Sequence, residues 1–349
     1  RLRSRGAAVR TAGRRSLLLA GLLALPAGMA LLPPLEPGYA TSVVAFVEGP
    51  GASSDPELAL GAPIGGGLVQ GSVDTYSPGS AGSLTLHMEP PVVDSGGADL
   101  LVCENPFLVT GTLLSFVEAV FVEVSSDGVN FARMPNSYTG PNEALPAFTG
   151  IHPARYRGFA GVMPVSADPP LVDPLDVTSA GGDTFDLREL SDHPLVQAEL
   201  LDLTDVRYVR LVDVEAGTDE DSAGHTVWDA GIGGLASCDI DAVVGLNTTE
   251  NQNGGRPHVE TDLVNGYLVI VLEDLNGLAD IKPGIALTVN GFPVPFGALL
   301  PYLQLTSLSP TKVEFKSLGP IPPGLFPAVL RVRLRDGTGM YGGDGVTIQ

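Results

Sequence analysis

A chain of 349 residues with 44% hydrophobic residues has room for two cores of ordinary size and is too apolar to stay unfolded. Its 44 glycines and 30 prolines punctuate turns and break helices, which excludes a largely helical fold and suits an all-β protein. A formal charge of −21 would repel a phosphate backbone, so no nucleic acid is expected as a partner, and divalent cations or basic surfaces fit better.

Residues 1–40 have the layout of a secretory signal peptide. "RLRSRGAAVRTAGRR" is basic and acid-free, "SLLLAGLLALPAGMALL" is apolar, and the small residues Gly38 and Ala40 follow. Pro26 and Gly28 interrupt an apolar run that is short for a membrane span, an uncleaved anchor being the alternative. No cysteine stands nearby to carry a lipid. No second long apolar run follows, so no transmembrane segment is expected after cleavage. The expected location is secreted, extracellular, cell-surface or periplasmic.

Residues 41–246 read as strands separated by Gly, Pro and Asp loops. "SVVAFVEG" opens this domain. "GSLTLHMEPPVVD" alternates apolar and polar residues at its start, and "ADLLVCENPF" is continuously apolar, as a central strand is. "FVEAVFVEVSSDGVNFARMP" reads as two strands joined at Ser126, Asp127 and Gly128. "LRELSDHPLVQAELLDL" allows a short helix that Pro194 would break or begin. "RYVRLVDVE" and "DIDAVVGLN" are the last two strands. Residues 247–260, "NTTENQNGGRPHVE", read as a linker. Residues 261–349 carry "YLVIVLEDL", "IALTVNGFPVP", "KVEFKSL", "AVLRVRLRDG" and "GVTIQ", with turns at Asn290-Gly291 and Asp336-Gly337, and predict a smaller immunoglobulin-like sandwich.

The pieces "ALGAPIGGG", "GSLTLHMEPPVVDSGGADLLVCENPF", "VEVSSDGVNFARMP", "FAGVMPVSADPPLVDP", "SAGGDTFDLREL", "VRYVRLVDV" and "CDIDAVV" occur in this order over about residues 43–245. In this the chain resembles secreted bacterial cell-surface β-sandwich proteins of the exosortase-sorted kind. "VEVSSDGVNF" also resembles the strand-turn-strand of discoidin, or galactose-binding-like, jelly rolls. The resemblance implies a jelly-roll sandwich that is extracellular and usually non-catalytic. The final "GVTIQ" reads as a strand rather than a sorting tail, a departure from the resemblance that leaves surface attachment open.

Two chemistries have candidate residues. The first is calcium, which takes carboxylate and carbonyl oxygens from acidic loops. "DVEAGTDEDSAGHTVWDAG" concentrates Asp213, Glu215, Asp219, Glu220, Asp221 and Asp229. It lacks EF-hand spacing, and a solvated acidic loop is the plain alternative. Asp173, Asp176, Asp183 and Asp186 form a second set that could equally cap turns. Asp239 and Asp241 alternate along a strand and, were it to neighbour the strand carrying Glu104 and Asn105, could share a cation or an arginine such as Arg207.

The second is glycan binding, with Trp228, Tyr138, Tyr156 and Arg155 as the residues expected to bind, near Phe148, Phe159 and Arg157. A satellite core under a long loop would use the same aromatics. Catalysis finds little support: there is no G-x-S-x-G elbow, and the five histidines form no metal pair. Glycine directly after Asp127 makes "SSDGVNF" a hairpin turn rather than a sialidase Asp-box. The only cysteines, Cys103 and Cys238, are expected to pair as a disulfide in an exported chain, with two buried thiols as the alternative. The expected function is a non-catalytic binding module for a glycan or surface polymer. A structural or self-assembling surface component is the alternative, and a hydrolase comes third.

Overall fold

The computed structural model describes residues 37–230 and 237–250, apart from 96–97, 113, 145, 147–148, 170 and 176–179, and beyond them the strands between residues 259 and 342. Most of the expected leader, residues 1–36, lies outside this set. The fold is all-β. No helix among the described residues is long and apolar enough to cross a membrane.

Twelve strands precede residue 250: β1 (Gly38–Val47), β2 (Ser83–Val92), β3 (Leu100–Glu104), β4 (Phe107–Leu108), β5 (Ser115–Phe116), β6 (Val120–Ser125), β7 (Ala132–Arg133), β8 (Ser137–Tyr138), β9 (Tyr156–Arg157), β10 (Asp183–Phe185), β11 (Val206–Asp213) and β12 (Ile240–Gly245). Eight of them form one antiparallel sheet in the order β10-β3-β12-β1-β2-β11-β6-β7. β1 joins its two halves. Gly38 and Tyr39 oppose Gly245 and Val244 of β12, whereas the rest of β1, from Ala40, opposes β2. Register shifts between Ala40 and Ser42 and between Val43 and Ala45 mark where β1 bends, as bulges do.

The sheet thereby curls over its own core. Leu84, Leu86 and Met88 of β2, Val122 and Val124 of β6, and Val209 and Leu211 of β11 share that core with Leu100 and Val102 of β3 and Ile240 and Val243 of β12. The outer faces are also covered. Leu101, Cys103, Ala242 and Val244 lie under Val165, Ala167 and Ala180, while Phe121 lies under Tyr138, Tyr156, Phe159 and Val227. Burial on both faces explains why "LLVC" and "VFV" read as unbroken apolar runs.

The expected boundaries shift at both ends. β1 starts at Gly38, and Ala40 is buried, so three residues counted with the leader belong to the sheet. Asn247 and Thr248, counted with the linker, are buried, and Asn247 donates to Ala98 O at 3.1 Å and Asp99 Oδ1 at 2.8 Å. The hairpin after β6 forms as read: Asp127 Oδ1 accepts from Val129 N and Asn130 N, both at 2.8 Å. Pro194 begins a helical turn, Pro194–Gln197, capped by His193.

Beyond residue 258, β13 (Val259–Val264), β14 (Tyr267–Leu272), β17 (Leu303–Leu308) and β18 (Val313–Ser317) form one antiparallel sheet in the order β13-β14-β18-β17. β15 (Ala286–Val289), β16 (Phe292–Pro295), β19 (Ala328–Arg333) and β20 (Gly339–Gly342) form another in the order β16-β15-β19-β20. β13 starts inside the expected linker, and β17 was not anticipated. "GVTIQ" lies outside the described residues.

The expected disulfide is absent: Cys103 and Cys238 are both free and buried. They belong to different cores, Cys103 to the outer face of β3 and Cys238 to the central core. The sheet itself stands between them. Burial, reinforced by Asp241 and Asp183, pushes the Cys103 thiol well up, and burial beside Asp213, Glu104 and Glu118 does the same to Cys238.

Candidate functional site

The long segment between β7 and β10 and the acidic loop after β11 meet over Phe121. Asp221 clamps them together. Its Oδ2 accepts from Tyr138 N at 2.8 Å, and its Oδ1 accepts from Ala223 N at 2.9 Å and His225 N at 2.8 Å. His225 Nδ1 stands 3.2 Å from Asp221 Oδ2. Burial alone would raise the Asp221 carboxyl, yet the hydrogen bonds from His225 N, Tyr138 N and Ala223 N hold it below the usual range.

The aromatics named from the sequence converge here. Tyr138 and Tyr156 lie with ring centroids 5.1 Å apart, and Tyr156 OH donates to Trp228 O at 2.6 Å. Trp228 Nε1 donates to Asn142 Oδ1 at 3.3 Å, and Arg155 Nη1 donates to Thr139 O at 2.7 Å. Trp228 rests on the backbone of Gly217, where φ is +80° and a Cβ would come 2.5 Å from the ring, so only glycine fits. An open cavity of about 570 Å³ remains between the loops, lined by Tyr138, Thr139, Asn142, Arg155, His225 and Thr226 among others. Burial, with the Asp229 charge nearby, pushes Tyr138 up to about 12, so it stays a neutral hydroxyl. Tyr156 is buried against the ring of Tyr138, and Trp228 is half-buried with its Nε1 on the cavity-lining Asn142. Phe148 lies outside the described residues.

The aspartates expected to hold calcium are not gathered into one such set. Each is engaged by nearby donors. Asp219 Oδ2 accepts from Glu215 N at 2.8 Å, and Asp229 Oδ2 accepts from Ala119 N at 3.0 Å. Asp213 accepts from Cys238 N at 2.8 Å and Ala81 N at 3.0 Å; burial raises it to about 7 against these bonds. Asp241 accepts from Ser72 Oγ at 2.6 Å and Ile64 N at 3.1 Å, and burial raises it to about 6. Asp239 accepts from Ser77 Oγ and from Asn105 Nδ2, the latter at 3.0 Å. In the second set, Asp173 caps a turn through Leu175 N at 2.8 Å, Asp183 Oδ2 accepts from Val162 N at 2.9 Å, and Asp176 lies outside the described residues.

Two groupings were read from the sequence only in part: Asp186, Glu104 and Asp239 were named there, whereas Asp94, Asp99 and Glu118 were not. Among the described residues, Asp94, Asp99 and Asp186 are the three acids whose ligand atoms all lie within 4.8 Å of one another. Asp99 is fully buried; its Oδ1 accepts from Ser95 N at 3.0 Å and Asn247 Nδ2 at 2.8 Å, and its Oδ2 from Leu187 N at 2.9 Å. Burial, then the Asp186 charge, pushes its carboxyl well up. Arg188 Nε stands 3.9 Å from Asp94 and offsets part of the charge.

The other grouping surrounds Glu104. β3 and β12 are neighbours, as the Asp239 reading required, and Asp239 N donates to Glu104 Oε1 at 2.6 Å. Glu118, which no motif marked, is buried beside them. Arg207 does not join the group; it pairs with Asp205 at 2.9 Å and Glu89 at 3.8 Å. No protein-family model, curated protein or solved structure matches this chain.

Proposed function

We propose that this is an exported, non-catalytic recognition protein that binds a glycan or similar hydroxyl-rich surface polymer in the cavity beside Tyr138. One observation carries the reading: a cavity of about 570 Å³ set between two loops and walled by Arg155, His225, Asn142, Thr139 and Thr226 around an aromatic ring. Binding sites of several hundred Å³ typically combine an apolar surface with a few fixed polar groups, and here the clamps of Asp221 and Tyr156 hold those groups in place. Sugars need this mixture of ring face and donor–acceptor side chains. The resemblance of residues 43–245 to secreted surface proteins points the same way.

The test is retention of the full chain on a polysaccharide array. Parent protein is expected to bind, and the Arg155→Ala and Trp228→Ala variants to bind at least tenfold more weakly. Equal retention by parent and variants, or no retention by the parent, overturns the reading.

A second reading, a self-assembling surface component, is favoured by β1, where Val44, Phe46 and Val47 are 51%, 49% and 61% exposed. Light scattering across a concentration series tests it. A strict monomer that stays monomeric at high concentration removes it.

A further inference from the structure

The cavity beside Tyr138 lies in a strongly acidic chain, with 40 Asp and Glu against 19 Lys and Arg. No carboxylate is among the residues that line it, whereas Arg155 is. Other arginines give their charge to an acid. Arg133 and Arg210 bind Glu123 at 2.9 and 2.6 Å, and Arg207 binds Asp205 at 2.9 Å. Arg155 enters no ion pair among the described residues. Its guanidinium donates from Nη1 to Thr139 O at 2.7 Å, a neutral carbonyl that fixes the group without cancelling its charge.

The acids near the cavity are either engaged or on the opposite wall. The Asp221 side chain is fully buried, and both its oxygens accept from the amides of Tyr138, Ala223 and His225. Asp229 is 3% exposed and accepts from Ala119 N. Glu220 Oε2 lies 3.8 Å from the place a Cβ on Gly224 would take, on the loop that also carries His225. The two walls therefore differ. The segment between β7 and β10 supplies a fixed cation, and the loop after β11 supplies neutral groups beside an acid. With Nδ1 turned to Asp221 Oδ2 at 3.2 Å, His225 keeps Nε2 for a ligand hydroxyl.

A guanidinium takes a carboxylate through two parallel N–H bonds, and holds it more strongly than a neutral oxygen. A polymer charged at every unit would be repelled by the net charge of −21, as a nucleic acid would. We propose that the cavity selects an acidic sugar: one carboxylate-bearing unit, a uronic acid, on an otherwise neutral glycan. Its carboxylate sits on Arg155 and its hydroxyls face His225 and Thr226. The inference rests on the glycan reading above and adds the charge of the sugar.

The experiment titrates the full chain with glucuronic acid, with glucuronamide, its uncharged counterpart of the same shape, and with glucose 6-sulfate. Glucuronic acid is expected to bind about tenfold or more tightly than glucuronamide at low salt. That ratio should shrink as sodium chloride is raised, because Arg155 is only half-buried. This comparison needs no variant. Arg155→Gln, shown folded by near-UV circular dichroism, is expected to bring the acid and the amide to one affinity. Equal binding of the two by the parent, no binding of glucuronic acid, or a preference that survives in Arg155→Gln each overturns the proposal. So does tighter binding of the sulfate, since the planar match to a carboxylate would then not be what selects. Retention of neutral polysaccharides on the array without a preference for glucuronic acid overturns this inference alone and leaves the glycan reading standing. Preference for free glucuronic acid with no polysaccharide retained does the reverse.

Discussion

The acidic loop after β11 and the buried surroundings of Glu104 hold carboxylates of opposite character. In the loop, Asp221 accepts from three backbone N–H groups and its carboxyl is held low. In the interior, Glu118 accepts from no donor among the described residues and is raised to about 9. The loop is where acids are densest along the chain, yet there they act as clamps. The difference teaches that acid density locates turns, whereas the balance of donors to acceptors decides whether a buried carboxyl is held low or pushed up.

The largest effect expected from breaking a clamp is at Asp99. Asp99→Ala strands the Ser95 and Leu187 N–H groups and the Asn247 amide in the interior, and should cost about 3 kcal/mol or more, read as a fall in the urea midpoint. Asp221→Ala removes a less enclosed clamp and should cost about 1–2 kcal/mol by the same measurement. Glu118→Gln should go the other way, raising stability by about 1–2 kcal/mol, because it removes a buried ionisable group that satisfies nothing. A loss at Glu118 as large as that at Asp221 would erase the contrast.

A pH series sharpens the contrast at smaller amplitude. The folded-state pKa of Asp221 is depressed, so its contribution is present above the unfolded value near 4 and disappears as pH falls through the folded value. The groups facing it are His225, 3.2 Å from Oδ2, and the amides of Tyr138, Ala223 and His225. Protease nicking in the loop should therefore rise below pH 4 in the parent and be pH-independent over that range in Asp221→Asn. A parent whose loop is equally resistant at pH 3 and pH 6 would show that the clamp does not depend on charge.

How much of this was legible in the chain depends on how local each signal is. The Ser126, Asp127 and Gly128 turn and the start at Pro194 rest on residues a few positions apart, and both formed as read. Tyr138 and Tyr156 were read as one cluster in the long segment, but neither the arrival of Trp228 beside them nor the Asp221 clamp was, since Tyr138 and Asp221 are 83 residues apart. Glu118 carries no local mark at all. It lies between two apolar stretches and becomes notable only when β3 and β12 deliver Glu104 and Asp239 beside it. Asp94 and Asp99 stand five residues apart in the sequence, and they become a group only when Asp186, about 90 residues on, is brought beside them.

The smallest expected effect is zero, and it tests the register of β12. Cys238 and Ala242 are four residues apart, which in an unbroken strand puts them on one face, and Ala242 opposes Cys103. Sequence parity therefore favours a bond between the cysteines. The pairing slips by one residue between Ile240 and Ala242, so Ile240 opposes Glu104 while Ala242 opposes Cys103. One extra residue on one strand reverses which face the following side chains take. Cys238 and Ile240 consequently point into the central core, and Ala242 points out beside Cys103. Dithiothreitol should leave the Tm unchanged, and a thiol reagent in urea without reductant should titrate both cysteines, whereas the native chain should react slowly because burial raises both thiols. A Tm that falls on reduction, or fewer than two thiols in urea, would mean that the slip is absent and that the carboxylates on either side of it, Asp239 and Asp241, face differently as well.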